Sequence, residues 1–217
     1  MKHAALAVVI PAYNEAATVA CVVAGARCLG DVIVVDDGSF DGTAQLASMA
    51  GAQVINLSGN MGYEAALSTG LQHAVNAQYE FALTMDADGQ HRTESAQALI
   101  DALGSADVAI GIRRNKARVA ERVAGWVGAL LWRVSDPFSG LKLYRLCSCK
   151  ALLPFDSYCL AGGEMFVRAY SAGLRLTTMP IEVEERTDGS RFGISWRANY
   201  RLARATALMV AISLRLV

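Results

Sequence analysis

The stretch Leu6-Ala7-Val8-Val9-Ile10-Pro11-Ala12-Tyr13-Asn14-Glu15 decides how the rest of the chain is read. Residues 6–10 are apolar at every position, which is the pattern of a strand buried on both faces of a parallel sheet. With Lys2 in front, the run Ala4 to Ile10 imitates a secretory leader. It is short, however, and Pro11 and the polar Tyr13-Asn14-Glu15 end it at once, so a buried first strand is the better reading. The same grammar recurs at Val32–Val35, followed by Asp36-Asp37-Gly38-Ser39, and at Phe81–Met85, followed by Asp86-Ala87-Asp88. Gln53–Asn56 and Val108–Ile110 read as two more strands. Helical segments fall between them at roughly 15–27, 42–50, 62–76 and 93–103. This alternation predicts an α/β fold: a mostly parallel, Rossmann-like sheet with helices on both faces. Ligands of such sheets bind at the carboxyl ends of the strands, so three polar strand ends converge on one crevice.

The second half is less regular. Residues 117–134 read as a helix with Val119, Val123, Trp126, Leu130 and Val134 on one face. Phe138 to Tyr144 reads as a strand entered through a turn, Gly163 to Ala172 as a helix, Arg175 to Glu184 as extended chain and 195–213 as a helix. Without repeats or linkers, the expected organisation is one domain over 1–194 with a C-terminal amphipathic helix over 195–217.

The 217 residues carry no net charge, yet the charge is split. Residues 1–110 hold 3 Lys/Arg against 12 Asp/Glu, a net −9, and residues 111–217 hold 17 against 8, a net +9. An acidic half suits a metal cation and a basic half an anionic ligand or membrane, although two solvated faces of opposite sign give the same count. At 53% hydrophobic and 18% charged, the composition excludes disorder and a nucleic-acid-binding tail. Cys21, Cys28, Cys147, Cys149 and Cys159 are odd in number and lack a CxxC pair, as expected of reduced thiols in a cytoplasmic protein. No apolar run reaches the roughly 18 residues of a membrane span.

Asp86-Ala87-Asp88 places two carboxylates at a strand end, where they can share one hard divalent cation, Mg2+ or Mn2+, with Gln90 as a further oxygen donor. Taken alone, the motif is more often a solvated turn. His3 and His73 are scattered; His91 is the one histidine beside the metal motif.

Four motifs in order alter that weighting. Val9 to Glu15, Val34 to Thr43, Asn60-Met61-Gly62-Tyr63-Glu64-Ala65-Ala66 and Met85 to His91 together resemble the family 2 glycosyltransferases, which have the GT-A fold. The likeness spans about residues 6 to 194. Asp86-Ala87-Asp88-Gly89-Gln90-His91 and Asp136-Pro137-Phe138-Ser139-Gly140-Leu141-Lys142-Leu143-Tyr144-Arg145 are most similar to the branch that makes polyprenyl-phosphate hexoses, of the dolichyl-phosphate mannose synthase kind. Glu164, Pro180 to Val183, and Glu185 to Gly193 continue it, the last resembling a basic loop near the donor diphosphate. Arg191 stands there where lysine is common, and Lys142 where arginine is common. Charge survives both changes; a bidentate contact does not follow.

The resemblance implies a hexosyltransferase of cell-envelope synthesis that moves sugar from a nucleotide-sugar, GDP- or UDP-hexose, to a polyprenyl phosphate. Asp88, with Asp86 and Gln90, would hold the metal against the leaving diphosphate. Pro11, Tyr13, Asn14, Glu15, Asp37, Gly62, Asp86 and Arg191 would bind the donor, though Glu15 and Asp36 suit helix-dipole and turn roles as well. Arg113, Arg133 and Ser139 would bind the acceptor phosphate. Arg114, Arg118 and Arg122 share one helix face, which serves a phosphate or solvent equally. Glu164 is the base if the acceptor is a hydroxyl; its other role is a helix N-terminal carboxylate. With no candidate for a covalent glycosyl-enzyme carboxylate, inversion is expected.

Arg197, Arg201 and Arg204 beside a stripe of Leu202, Ala205, Met209, Ile212 and Leu216 suit a helix lying on anionic lipid, or one packed on the core. The expected setting is the cytoplasmic face of a membrane, held peripherally, through a membrane-protein partner or as a homo-oligomer, without nucleic acid. A dinucleotide enzyme is excluded by the lack of GxGxxG after strand one. A hydroxyl-directed relative and a non-catalytic nucleotide-binding subunit remain as rivals.

Overall fold

A computed structural model describes residues 6–114, 118–155, 160–184 and 196–214. The chain runs β1 (Leu6–Ala12), α1 (Val19–Ala26), β2 (Asp31–Asp36), α2 (Thr43–Met49), β3 (Gln53–Asn56), α3 (Tyr63–Asn76) and β4 (Phe81–Thr84). It continues through α4 (Thr93–Ala102), β5 (Val108–Arg113), α5 (Val119–Trp132), β6 (Lys142–Arg145) and the short α6 (Leu146–Cys149). Then come α7 (Glu164–Ser171), β7 (Leu176–Ile181) and α8 (Trp196–Ser213). Among the described residues seven strands form one sheet in the order β3-β2-β1-β4-β6-β5-β7.

The all-apolar strands are buried on both sides. Val8 and Ile10 of β1 face a core made with Val19, Val23 and Leu99 of α1 and α4. Ala7 and Val9 face the opposite core, with Leu67 and Leu71 of α3, Phe166 of α7 and Met209 of α8. Alternate side chains of one strand thus feed two helical layers, as strand periodicity requires.

The second half departs from the parallel pattern at one strand. β6 lies antiparallel between β4 and β5, pairing Thr84 with Lys142 and Ile110 with Lys142. The segment expected to be strand from Phe138 begins pairing only at Lys142. Residues 136–141 are taken by a turn, with the Ser139 N–H donating to Asp136 O and the Gly111 N–H to Leu141 O.

α5 is turned opposite to its sequence pattern. Ala124, Gly125, Gly128 and Trp132 face inward, while Val119, Val123, Trp126 and Leu130 are exposed, Trp126 by 74%. Gly128 shows why small residues face in: a Cβ there would lie 2.3 Å from Val134 O. Val134, expected on the same face, is buried.

α8 resolves its two readings toward the core. Leu202, Ala205 and Met209, named for a lipid-facing stripe, are buried against α5 and α7, with Met209 sulfur close above Gly163. Leu216 and the Arg197 side chain lie outside the described residues. Truncating Met209 to alanine should lower unfolding free energy by about 2–5 kcal/mol, the usual cost of a core cavity. Urea melts check this; an unchanged midpoint would detach α8 from the domain.

Candidate active site

The crevice opens where the strand order reverses. β1 pairs with β2 as far as Ala12 but with β4 only as far as Val9 and Thr84. Val9 O still accepts the Met85 N–H. Pro11, two residues on, points the same way and has no N–H to offer, so it sits without cost where β4 has diverged. Such a switch point is where open α/β sheets bind ligands.

On the β1–β2 side the two loops lock each other. The Asn14 N–H donates to Ser39 Oγ (2.9 Å), and the Phe40 N–H returns a bond to Asn14 Oδ1 (3.1 Å). Asn14 takes a φ of 52°, a conformation asparagine tolerates better than most residues. The Glu15 N–H donates to Thr43 Oγ1, and the Glu15 carboxylate accepts from Thr18 Oγ1, so Glu15 is tied to its own first turn. Tyr13 and Phe40 meet edge-on at 6.4 Å, with Phe40 84% exposed at the rim. Phe40 was not singled out from sequence; one exposed aromatic carries no pattern.

Asp37 is buried and accepts the N–H groups of Met61 (2.6 Å) and Gly62 (2.9 Å), anchoring the entry to α3. Gly62, expected beside it at the donor, is thus its hydrogen-bond partner. Asp36 receives the Ser39 N–H, the turn role that had been left open.

Asp86 is the centre. Its Oδ1 accepts from Tyr63 Oη (2.9 Å) and its Oδ2 lies 3.3 Å from His91 Nε2. The turn residue Gly140 presses on it so closely that a Cβ would come within 2.0 Å of Oδ2. Burial raises the Asp86 pKa, yet the His91 and Tyr63 bonds and the charge of Arg113 hold it below the ordinary carboxylate range. Asp88 Oδ1 accepts the Gln90 N–H (3.1 Å), and Thr18 Oγ1 binds Ala87 O, fixing the loop to α1. Gln90 is engaged elsewhere: its side-chain amide donates to Glu184 O and its carbonyl accepts the Glu184 N–H. Arg92 adds a bond to the Glu184 carboxylate, so the 182–184 segment is clasped to the loop that follows β4.

Across the crevice Arg113, at the end of β5, forks onto Asp136 with bonds of 2.7 and 3.0 Å. Burial opposes its charge, but Asp136, with Glu121 and Asp86 nearby, raises its pKa and keeps it cationic. Ser139 is fully buried, its Oγ accepting the Leu141 N–H. Arg133, by contrast, is the exposed cap of α5 and lines a shallow cleft with Tyr170, Leu174 and Thr178. No described contact brings it to Asp86. Glu164 is 0% exposed and bound by Arg168 at 2.8 Å, which is a helix-stabilising position. Arg191 lies outside the described residues.

A further buried acid, Glu64, escaped the sequence reading because it looks like any first-turn helix residue. Its Oε1 accepts the Gly162 N–H (2.6 Å) and its Oε2 has no partner among the described residues.

Among the described residues no three His, Cys, Asp or Glu side chains form a metal-binding group. The hard oxygen donors of Asp86 and Asp88 fit an ion that takes its other ligands from water and substrate phosphate, the habit of Mg2+.

An open α/β sheet with paired acids at its switch point defines the class: an α/β protein whose polar strand ends meet where such folds bind their ligands. The family model Glycosyl transferase family 2 matches residues 7–139, and the chain belongs to that family. It is a glycosyltransferase. It is 34% identical over 208 residues to polyprenol monophosphomannose synthase of Mycolicibacterium smegmatis, covering 84% of this chain and 78% of that one. It is 28% identical over 205 residues to undecaprenyl-phosphate mannosyltransferase of Micrococcus luteus, covering 83% and 84%. Glucosyl-3-phosphoglycerate synthase of Mycobacterium tuberculosis, in complex with Mn2+, uridine diphosphate and glucosyl-3-phosphoglycerate, superposes with a TM-score of 0.78 at 21% identity over 97% of this chain and 80% of that one. At that identity the match speaks for the shared fold.

Glu64 gives a pH test. Burial, with Glu164 close by, pushes its pKa up from 4.5 to about 7 against the pull of the Gly162 N–H and Lys142. Between these values the folded state holds a proton that the unfolded state has released, so rising pH costs stability. Glu64→Gln should remove a loss on the order of 3 kcal/mol between pH 4.5 and 7. Urea melts at pH 5 and 7.5 check it; equal pH slopes for both proteins would refute it.

Proposed function

We propose that this glycosyltransferase moves a hexose from a nucleoside diphosphate sugar to a polyprenyl phosphate, in one inverting displacement with Mg2+ or Mn2+. The observation that carries it is the carboxylate pair Asp86 and Asp88 just past the end of β4, with Arg113 at the end of β5 close enough for its charge to act on Asp86. The names of the two relatives above support the lipid-phosphate acceptor.

Asp86 and Asp88 would hold the metal, which neutralises charge developing on the leaving diphosphate when bound. Tyr13, Asn14 and Phe40 at the crevice rim would take the nucleoside, with Pro11, Glu15, Asp37 and Gly62 shaping the loops beneath it. Arg191 remains a proposed donor contact. Arg113, set by its Asp136 fork, would steady the acceptor phosphate beside the Ser139-Gly140 turn. A phosphate acceptor is ionised at neutral pH, so catalysis needs positioning more than a general base. The fully buried Glu164, held by Arg168, agrees with that economy.

A turnover assay tests this directly. UDP- and GDP-hexoses are offered with undecaprenyl phosphate and Mg2+ or Mn2+, and the organic phase is read by mass spectrometry. The expected product is a lipid-phosphate hexose of inverted anomeric configuration, reduced about 100-fold or more in Asp88→Asn. Release of nucleoside diphosphate without lipid product would point to a hydroxyl acceptor and overturn the reading.

The acceptor implies a membrane surface. Among the described residues no helix is long and apolar enough to cross a bilayer. The exposed row Val119, Val123, Trp126 and Leu130 on α5 lies beside α8, whose Trp196 and Tyr200 are also exposed. α5 and α8 enclose an apolar groove of about 770 Å³, and Arg122 and Arg201 stand exposed on the same helices. An interfacial helix pair on the cytoplasmic leaflet has this character. Replacing Val123 and Trp126 together with serine should weaken sedimentation with anionic vesicles about fivefold or more while leaving the fold intact. Unchanged vesicle binding would exclude this face.

A further inference from the structure

Lys142 opens β6 with its side chain buried, 2% exposed, in the middle of the molecule. Among the described residues no carboxylate lies within ion-pair distance of its ammonium. Instead Nζ donates to two backbone carbonyls, Ser139 O and Gly162 O, the latter at 3.0 Å. A buried charge held only by neutral oxygens is costly and calls for a reason.

The two carbonyls belong to two turns, one lying on Asp86 and the other on Tyr63, which binds Asp86. The first carries Gly140, whose backbone lies directly against the Asp86 carboxylate. The second carries Gly162, which packs against the Tyr63 ring, with 3.1 Å left for a Cβ, and whose N–H holds Glu64. Tyr63 in turn donates to Asp86 Oδ1. One turn thus touches Asp86 directly and the other supports its partner Tyr63, and one ammonium fastens both. Burial pushes the Lys142 pKa down to about 8, while Asp136, Glu64 and Asp86 act to keep the charge, so the tie persists at neutral pH.

We propose that Lys142 is a positioning residue: its ammonium pins the Ser139 and Gly162 carbonyls together and thereby sets the Asp86 carboxylate in its metal-binding orientation. This deepens the metal-dependent reading above and rests on it.

The test measures binding rather than turnover alone. Calorimetry compares uridine and guanosine diphosphate, with and without Mn2+, for the unaltered protein, Lys142→Met, Lys142→Gln and Asp86→Asn, each checked by circular dichroism. The expected result for folded Lys142→Met is Mn2+-dependent affinity weakened about tenfold, as for a lost pair of charge-assisted bonds, with metal-free nucleotide affinity unchanged. Lys142→Gln, which can still serve one carbonyl, should show the same split at smaller size, and kcat should fall more than donor KM rises. Equal weakening with and without metal would make Lys142 a general structural residue and overturn the proposal, as would no change in either. Failure of both variants to fold would overturn it too, making Lys142 a folding determinant. If Asp86→Asn leaves the Mn2+ dependence intact, the metal reading itself has failed, whatever the Lys142 variants do.

Discussion

The carboxylate of Asp86 is the constraint to which the site is built. A carboxylate at the end of a buried strand is useful only if its oxygens are aimed, and aiming requires partners on more than one side. Tyr63 from α3 and His91 from the following loop take one oxygen each, and Gly140 removes any side chain that would stand in the way. Each partner comes from a different part of the chain, so the geometry exists only once the sheet and both helical layers are assembled. The consequence is a preorganised anion whose proton is held off by its own neighbours.

Preorganisation of this kind concentrates buried charge. Glu64, Lys142, Asp136 and Glu164 are all nearly inaccessible, and each is met by backbone or by an opposite charge. Asp136 shows the favourable case: a bidentate fork with Arg113, two parallel bonds that fix both position and plane of the guanidinium. Lys142 shows the costly one, a charge answered by carbonyl dipoles. Such a network contributes little to stability for what it costs, and its value lies in allowing few alternative arrangements.

Much of this was legible in the chain itself. The all-apolar strand runs and the polar residues at their ends gave the sheet, both helical layers and the crevice, because burial on two faces leaves a sequence little freedom. The paired acids and Arg113 stood out at strand ends, the acids with weight only once the resemblance was added, whereas Ser139 and Gly140 read as strand and form a turn. What stayed hidden depended on which face of a helix turns inward. On α5 the large apolar residues face out because Gly128 and its small neighbours permit a close approach that no bulky side chain could make. On α8 periodicity named the correct stripe, Leu202, Ala205 and Met209, but an apolar stripe is silent about whether protein or lipid covers it. Buried acids such as Glu64 were hidden too, since nothing in a first-turn glutamate announces that a glycine N–H across the fold will claim it.

The antiparallel β6 is what joins the acidic half of the chain to the basic half. A parallel strand between β4 and β5 would enter at the far edge of the sheet and bring only its last residue to the crevice. By running the other way, β6 begins at the crevice, with Lys142 paired to Thr84 and the 136–140 turn immediately before it. That turn delivers Asp136 to Arg113 and Gly140 to Asp86 within five residues. The first half, net −9, contributes the paired carboxylates; the second, net +9, contributes the Arg113 guanidinium, whose charge reaches Asp86, and the Lys142 ammonium that ties the Ser139 and Gly162 carbonyls. One reversed strand is thus the short connection that brings groups of both signs to the same end of the sheet.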